Sequence, residues 1–241
     1  MSVPSSCFNI VRGRVLRATL LDDCCSVSPD SPPAYEVVVT KGVISVALTA
    51  EVEAGESIRD RNWAGELCVV DRSPDQFLFW NVEVTFCDVN PALLSLLTGN
   101  PVELDTSGEI VGFRTTEGGL TGNVALELWS GISPSNCAPG VGASYGYTLL
   151  PCVSGGRMGD FTLENGRADL VVTGAFTKSG EGWGAGPYNV VDVAGTPSPL
   201  ETEIQQGEHH LLRKTDVAPP ADECIGYTVE EAGGTRPVAV S

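Results

Sequence analysis

The amino-acid sequence predicts an all-β fold with one short flanking helix. Three observations support this prediction. Apolar and polar residues alternate over several segments, 28 glycines and 16 prolines are spread between those segments, and a single short segment has helix-capping residues at both ends. Hydrophobic residues make up 42 % of the 241 residues, which is enough for a buried core. The length suggests one or two domains.

Two long strands are predicted from period-two alternation, over residues 43–53 and 76–88. In the first, one face holds Ile44, Val46, Leu48, Ala50 and Val52, and the other holds Ser45, Ala47, Thr49, Glu51 and Glu53. In the second, one face holds Leu78, Trp80, Val82, Val84 and Phe86, and the other holds Phe77, Phe79, Asn81, Glu83, Thr85 and Cys87. Each strand is therefore expected to be half-buried, with its first-named face toward a core.

Other strands follow from shorter alternating or β-branched runs. They are predicted over residues 123–129 and 167–176, and more briefly over 36–40, 66–70, 110–114, 145–150 and 189–193. In the segment 123–129, Val124, Leu126 and Leu128 would lie opposite Ala125, Glu127 and Trp129.

The helix is predicted between Asn90 and Gly99. Asn90 suits the N-cap, Pro91 suits the first helical position, and Gly99 suits the position after the last turn. The intervening residues make about two turns. We expect this helix to lie across one face or one open end of a sheet.

The two ends of the chain differ in composition from its middle. Residues 1–33 carry Arg12, Arg14 and Arg17 before the first acidic residue, Asp22, and then several prolines. Residues 195–241 are rich in Pro, Glu and Gly, with one strand or hairpin predicted over 208–214. Segments of such composition usually gain order from a partner. The predicted organisation is an N-terminal arm over 1–33, a β domain over 34–194 and a C-terminal arm or extension over 195–241.

The charge balance restricts the function classes. With 14 basic and 31 acidic residues the formal net charge is −17, which excludes the usual basic footprint of a protein that grips nucleic acid. No apolar run approaches the roughly 20 residues that span a bilayer. The N-terminus has no continuous apolar stretch, so we expect neither a membrane partner nor a secretory signal.

Eight cysteines lie at positions 7, 24, 25, 68, 87, 137, 152 and 224. None forms a C-x-x-C pair, which disfavours structural zinc. Without a secretory signal, reduced thiols in the core are the favoured interpretation. The alternative is a disulfide that forms late, in an extracellular particle.

Two motifs suggest chemistry but have simpler explanations. The run Asp105-Thr106-Ser107-Gly108 resembles the turn of aspartic proteases, yet that aspartate needs a twin, which only a homodimer would supply. A polar hairpin tip explains the same residues. Gly182, Gly184 and Gly186 lead into a proline and a predicted strand, whereas a dinucleotide-binding loop opens a helix.

His209 and His210 are the two histidines of the chain. Neighbours on a strand point to opposite faces, which disfavours shared ligation, although a metal site with Glu208 and Cys224 remains an alternative. No local signature supports a Ser-His-Asp triad. We therefore expect a protein that is not an enzyme, with no catalytic residues, cofactor or metal, and that acts by assembling.

In their order along the chain, several short segments resemble the major tail protein, or tail tube subunit, of long-tailed siphophages that infect actinobacteria. They are residues 17–22, 64–68, 85–91, 98–99, 108–113, 124–131, 147–151 and 182–188. The resemblance runs from about Arg14 to Cys224. It departs from the family at Cys24-Cys25-Ser26, where a turn containing glycine is expected.

The resemblance implies a β-sandwich with a flanking helix. Six copies would form a ring, rings would stack into a tube, and strands from each subunit would join an inner β-barrel across subunits. The implied location is the virion tail, with the host cytoplasm during assembly. The implied partners are further copies of the chain, the tape measure protein, the tail terminator and distal tail proteins. Genomic DNA would pass through without specific binding.

In such a tube the polar face of the two long strands would line the channel. The lumen-facing candidates are Ser45, Thr49, Glu51, Glu53, Asn81, Glu83 and Thr85. Their carboxylates would repel DNA phosphates and keep the cargo from sticking. The basic residues Arg12, Arg14 and Arg17 are candidates for an inter-subunit arm that reaches an acidic patch on the next ring.

Two other hypotheses remain. One is a β-sandwich module on the virion that binds carbohydrate or a host surface, which exposed, clustered aromatic residues would favour. Aromatic residues make up only 7 % of the chain and fall mostly on predicted core faces. The other is a hydrolase of the aspartic type built on Asp105.

Overall fold

The computed structural model describes residues 9–26, 37–88, 90–118, 122–132, 144–162, 169–180, 183, 189–221 and 226–227. In chain order the strands are β1 (Ile10–Leu21), β2 (Val37–Thr40), β3 (Val43–Glu53), β4 (Ser57–Arg61), β5 (Leu67–Arg72), β6 (Gln76–Phe86), β7 (Val102–Leu104), β8 (Ile110–Phe113), β9 (Asn123–Ile132), β10 (Tyr145–Ser154), β11 (Arg157–Met158), β12 (Leu170–Thr177), β13 (Val191–Val193), β14 (Thr196–Ser198), β15 (Leu211–Thr215) and β16 (Gly226–Tyr227). The helix α1 is Pro91–Thr98. The prediction of an all-β fold with one short helix is confirmed.

Ten strands form one sheet, in the order β16-β2-β1-β9-β10-β12-β6-β3. Strand β11 pairs with β12, and β15 pairs with β10. The pairs β4–β5, β7–β8 and β13–β14 are separate two-stranded hairpins. The long strands β3 and β6 therefore lie together at one end of the strand order, with β3 outermost.

Strand β1 occupies the interior of the sheet. It pairs with β2 on one side and with β9 on the other, and its register with β9 extends from Ile10 to Leu21. This corrects the expectation of an arm over 1–33, since residues 10–21 belong to the sheet. Three arginines obscured the strand in the sequence, because one of them, Arg17, is buried rather than solvated.

The helix begins and ends where its capping residues predict. The side chain of Asn90 accepts a hydrogen bond from the backbone N–H of Leu93 at 3.2 Å, and proline occupies the first turn. Gly99 has a φ of 71°, in the left-handed region that favours glycine, and its N–H bonds to the carbonyl of Ser95. The leucines of α1 are buried in the main core cluster.

The main core cluster lies between two halves of the sheet. It contains Leu16 and Leu126 from one half, Val82, Val84 and Val172 from the other, and the leucines of α1. Strands β10 and β12 pair only at Val153–Thr177 and Ser154–Phe176, which is where one half passes into the other. The two halves face each other across this core, as the layers of a sandwich do.

A second core cluster covers the opposite face of β1, β9 and β10. It includes Trp129 and Tyr147, together with Trp183, Val190 and Ile204 from the C-terminal part of the chain. Strand β9 is therefore buried on both faces. Its alternation predicted the strand but not the burial of Glu127, which is 0 % exposed.

A buried polar network lies inside this second cluster. The guanidinium of Arg17 forms a salt bridge and a hydrogen bond with Glu127, and the hydroxyl of Tyr147 donates to Glu127 Oε1 at 2.7 Å. The ring of Trp129 contacts Tyr147 with 5.1 Å between centroids, and the Arg17 Cζ lies 6.0 Å from the Trp129 ring centre. Burial raises the pKa of Glu127, and the Arg17 charge opposes that shift.

A disulfide joins Cys25, after β1, to Cys152 in β10. The favoured interpretation of reduced core thiols is wrong for these two cysteines, which tertiary folding brings together across 127 residues of sequence. Cys24, Cys68 and Cys87 are free, whereas Cys7, Cys137 and Cys224 lie outside the described residues. Cys25 has a φ of 61°, in the left-handed region that usually favours glycine.

The C-terminal part adds strands to the main body. Strand β15 pairs with β10 and β16 pairs with β2, while β13 and β14 form a small hairpin. The strand predicted over 208–214 is therefore present as β15, slightly displaced. The structure connects the segment predicted as a C-terminal extension to the sheet at two places.

Candidate assembly surface

Strands β3 and β6 bring the lumen-facing candidates onto one face. In the antiparallel register Ser45 lies opposite Thr85, Ala47 opposite Glu83, and Thr49 opposite Asn81. Residues that face each other across an antiparallel pair project to the same side of the sheet. The polar sides that the sequence predicted for two separate strands are thus one continuous surface, here named the polar face.

The polar face is exposed and anionic. Of the seven candidates, Thr85 is half-buried and the other six are exposed. The side-chain amide of Asn81 donates to Glu51 Oε2 at 3.2 Å, which ties the two strands together. Neither strand contains Lys or Arg, so Glu51, Glu53 and Glu83 have no basic residue beside them on β3 or β6. Such a surface repels a polyanion.

A bulge changes the predicted faces near the start of β6. Glu51 lies opposite Phe79, but the next pair is Val52 with Phe77, so Leu78 is the extra residue. Phe77 consequently lies beside Trp80, with 5.3 Å between ring centroids. The prediction that Phe77 shares a face with Phe79 is therefore wrong, because the bulge moves Phe77 to the other side.

The two histidines belong to this other side. The rings of Phe77 and His209 meet edge to face at 5.5 Å, and those of Trp80 and His210 at 6.3 Å. His209 Nδ1 lies 3.0 Å from the hydroxyl of Thr177. We name Phe77, Trp80, His209 and His210 the aromatic–histidine cluster. Each histidine contacts a different aromatic ring.

Burial lowers the pKa of His210, which leads to a pH prediction. The unfolded chain binds a proton at His210 below about pH 6.5, whereas the folded chain binds it only at lower pH. Stability from this residue is therefore complete above pH 6.5 and decreases as the pH falls toward the folded-state pKa. We expect the free energy of unfolding of wild type to fall relative to His210→Gln between pH 7 and pH 5. Urea denaturation of both proteins measures this difference, and parallel pH profiles would contradict it.

Strand β3 is an edge strand of eleven residues. Its only partner among the described strands is β6, so no described strand covers its outer edge, and such edges can pair with another chain. At about 3.3 Å per residue this edge is roughly 36 Å long. It contains neither proline nor lysine, and its charged residues, Glu51 and Glu53, lie at the end next to β4.

Strands β4 and β5 form a projecting hairpin that continues from β3 and leads into β6. Every residue from Glu56 to Leu78 is exposed. Large apolar side chains are among them: Ile58, Trp63, Leu67, Val69, Val70, Phe77 and Leu78. Trp63 is at the tip, with 107 % relative exposure. A surface of this kind usually marks an interaction site.

The base of the projecting hairpin has a defined geometry. The N–H of Gly55 donates to Asp75 Oδ1 at 2.9 Å, and Arg72 pairs with the same oxygen at 2.9 Å. These bonds, the Gly55 bond first, lower the pKa of Asp75. A Cβ at position 55 would lie 1.8 Å from the carbonyl oxygen of Ser73, so only glycine fits there.

The three arm candidates have different surroundings. Arg12 and Arg14 are exposed on β1, and Arg14 lies over the ring of Tyr145 at 5.5 Å. Arg17 is 1 % exposed and pairs with Glu127, which corrects its assignment to an inter-subunit arm. A buried side chain of this kind cannot contact an acidic patch on another copy.

Asp105 lies at the tip of the β7–β8 hairpin. Its Oδ1 accepts hydrogen bonds from the hydroxyl and N–H of Ser107 and from the N–H of Glu109, at 2.7 to 2.9 Å. These bonds, the Ser107 hydroxyl first, lower the pKa of Asp105. The carboxylate therefore organises its own turn, as in ordinary hairpin tips.

The remaining motifs are partly outside the described residues. Of the glycine-rich segment 182–188 only Trp183 is described, and it is buried in the second core cluster. Glu208 accepts a hydrogen bond from the N–H of Gln205 at 2.7 Å, while Cys224 is not described. Within the described residues, no group of three His, Cys, Asp or Glu side chains is placed to hold a metal ion.

The chain matches no model of a known protein family, and no curated protein matches it. In the part of the chain that the structure describes, no helix has the length and apolar character needed to cross a membrane.

Proposed function

We propose that this chain is a structural virion protein, the tail tube subunit of a long-tailed siphophage. Copies associate into hexameric rings, and the rings stack into a tube that surrounds the tape measure protein and later conducts genomic DNA. The tail terminator and distal tail proteins would contact its two ends. In this proposal the protein assembles in the host cytoplasm, functions in the virion, and catalyses no reaction.

One observation supports the proposal most directly. The anionic polar face lies on the two strands at the end of the sheet, beside an edge eleven residues long with which no other described strand pairs. Pairing of that edge with a neighbouring copy would extend the polar face from subunit to subunit. Repetition around a ring would surround a channel with carboxylates. The order of the family-like segments supports the same role.

Electron microscopy of the purified protein tests the proposal. We expect hollow tubes to appear as the protein concentration rises, with rings as the shorter assemblies. Analytical ultracentrifugation at the same concentrations measures the fraction assembled. A protein that stays monomeric at every concentration would contradict the tube.

A charge-reversal variant tests the channel surface. In Glu51→Lys/Glu53→Lys/Glu83→Lys the polar face gains six units of positive charge, two for each substitution. We expect the variant tubes to retain linear DNA at low salt and release it at high salt, because phosphate contacts depend steeply on salt. Wild-type tubes should leave the DNA in solution, as co-sedimentation would show.

The matched control carries the same charge change elsewhere. Glu117, Glu201 and Glu203 are exposed and lie outside β3 and β6. The variant Glu117→Lys/Glu201→Lys/Glu203→Lys should therefore retain much less DNA. Equal retention by the two triple variants would show that overall charge, and not the polar face, controls DNA retention.

A second candidate function is a virion module that binds carbohydrate or a host surface. Exposed aromatic residues favour it, since Trp63 and Phe77 are both accessible on or beside the projecting hairpin. Sugar rings pack against aromatic faces in the way other apolar surfaces do. A glycan array with wild type and Trp63→Ala tests this function, and binding that depends on Trp63 without tube formation would favour it.

A further inference from the structure

The two faces of the projecting hairpin carry opposite charges. Residues that lie opposite each other across the β4–β5 ladder project to the same side of the hairpin. One side, here named the acidic face, is formed by two ladder pairs: Ile58 with Asp71, and Asp60 with Val69. It has two carboxylates and no basic residue.

The other side of the hairpin is basic. This side, here named the basic face, is formed by the remaining ladder pairs: Ser57 with Arg72, Arg59 with Val70, and Arg61 with Leu67. It has three guanidinium groups and no carboxylate. Three of the 14 basic residues of an acidic chain therefore lie on one face of a single hairpin.

Both faces also have exposed apolar side chains at their centre. Ile58 and Val69 on the acidic face are 48 % and 45 % exposed, and Leu67 and Val70 on the basic face are 49 % and 67 % exposed. A two-stranded ribbon that packs on nothing is marginally stable in water. Every residue of β4 and β5 is exposed, so the described part of the chain covers neither face. Both faces are therefore expected to be covered in the assembled protein.

Several of these charges have no partner within the described chain. The side chains of Arg59, Asp60 and Asp71 form no hydrogen bond or ion pair with another described residue. Arg72, by contrast, pairs with Asp75 at the base of the hairpin, and Arg61 donates to the carbonyl of Gly65 at 2.6 Å near the tip. The unpartnered charges lie at the middle of the hairpin, beside the apolar side chains.

We propose that the acidic face of one copy packs on the basic face of the hairpin of a second copy. The inference rests on the proposed function, for which it names a contact between subunits. At the usual spacing of stacked sheets, about 10 Å, carboxylates would face guanidinium groups and the two apolar centres would exclude water.

The pattern of charge and exposure favours a second copy as the occupant. The hairpin itself provides the surface that complements each of its own faces, in charge and in apolar character. A different partner that covers one face would leave the other in water, whereas repeated packing of identical hairpins covers both. Because the contact joins two different faces, it is heterologous, and such interfaces generate rings or filaments.

The test uses two full-length variants that each reverse one face. Asp60→Arg/Asp71→Arg makes both faces basic, and Arg59→Asp/Arg61→Asp leaves both faces with a net negative charge. Surfaces of the same sign then meet at the contact, so we expect each variant to self-associate roughly tenfold more weakly than wild type. Sedimentation velocity at low salt measures the association, and the difference should shrink at high salt because salt screens exposed charges.

Two rescues distinguish the contact from a folding defect. Mixed in equal amounts, the two variants should regain the association of the wild type, because the basic faces of one meet the acidic faces of the other. The quadruple variant Arg59→Asp/Asp60→Arg/Arg61→Asp/Asp71→Arg exchanges the signs of the two faces and should also associate like wild type. Circular dichroism of each protein checks that it is folded.

Matched controls carry the same charge changes outside the hairpin. Glu201→Arg/Glu203→Arg and Arg157→Asp/Lys214→Asp alter exposed positions and should associate like wild type. Weakening by the controls as large as that in the hairpin variants would show that net charge, and not the facing surfaces, controls association.

Other results would also overturn the packing. They are unchanged association of both hairpin variants, and a mixture that associates no better than its components. Linear DNA that co-sediments with wild type but not with Arg59→Asp/Arg61→Asp would assign the basic face to a polyanion instead.

The same variants separate the packing from the tail tube. Tubes that form equally well from both hairpin variants would reject the packing and leave the tail tube intact. Small oligomers that need opposite charges on the two faces, without tubes, would support the packing and reject the tail tube. A wild type that remains monomeric rejects both.

Discussion

Replacing Arg17 by methionine is expected to lower the free energy of unfolding by about 3–5 kcal/mol. Methionine fills much of the arginine volume but provides no charge, so Glu127 must either keep a charge without a partner or take up a proton, in a site that is 0 % exposed. The remaining bond from Tyr147, at 2.7 Å, cannot replace a guanidinium. Urea denaturation at pH 7 measures the loss.

The size of this loss should depend on pH in a defined direction. Burial already raises the pKa of Glu127, and Arg17 is the charge that most opposes the shift. Without Arg17 the folded chain holds a proton on Glu127 that the unfolded chain releases above about pH 4.3. The penalty is therefore absent below that pH and grows as the pH rises toward 7. The difference between wild type and Arg17→Met should shrink at pH 4.

Two further variants separate the charge from the packing. In Arg17→Met/Glu127→Gln the amide accepts the Tyr147 hydrogen bond without a charge, so most of the stability should return. Arg12→Met, on the exposed part of the same strand, should change stability by no more than about 0.5 kcal/mol. A double variant as unstable as the single one would show that volume, and not the buried charge, accounts for the loss.

The Arg17–Glu127 pair also shows which features of the fold the sequence predicts and which it does not. Alternation alone predicted β3, β6 and the exposed carboxylates of the polar face, because one apolar and one polar side per strand is a local pattern. Arg17 and Glu127 are 110 positions apart, and their pairing is a property of the β1–β9 register. A sequence interpretation that places arginine in solvent is correct for Arg12 and Arg14 and fails for Arg17.

The bulge near Leu78 is a similar case. A single extra residue reverses the side on which Phe77 projects, and nothing in the sequence Gln76-Phe77-Leu78-Phe79 distinguishes a bulge from regular alternation. As a result, Phe77 belongs to the aromatic–histidine cluster and not to the polar face. The polar face is more polar than the sequence predicted. The pairing register with the partner strand decides the side of the sheet on which Phe77 projects.

The second large effect is expected from the disulfide. Converting both Cys25 and Cys152 to alanine should lower the free energy of unfolding by about 2–5 kcal/mol. The bridge joins residues 127 apart, and in the chain-entropy account a cross-link restrains the unfolded chain more as its loop lengthens. Alanine also leaves space in the second core cluster, where Cys152 is fully buried. Urea denaturation of the oxidised wild type and of the double alanine variant measures the total loss in the free energy of unfolding.

Reduction of the wild type separates the cross-link from the packing. A reduced chain keeps both sulfur atoms, so the stability that it loses relative to the oxidised chain measures the effect of the cross-link on the unfolded chain. Any further loss of stability in the alanine variant measures the cost of the space that the missing sulfur atoms leave in the core. Cys24→Ala serves as the control, because this neighbouring thiol is free and exposed and should leave the denaturation midpoint unchanged. A midpoint that does not move when a reductant is added would show that the Cys25–Cys152 bond contributes nothing to the folded state. A shift in Cys24→Ala as large as in the double variant would place the effect in the turn after β1 and not in the bridge.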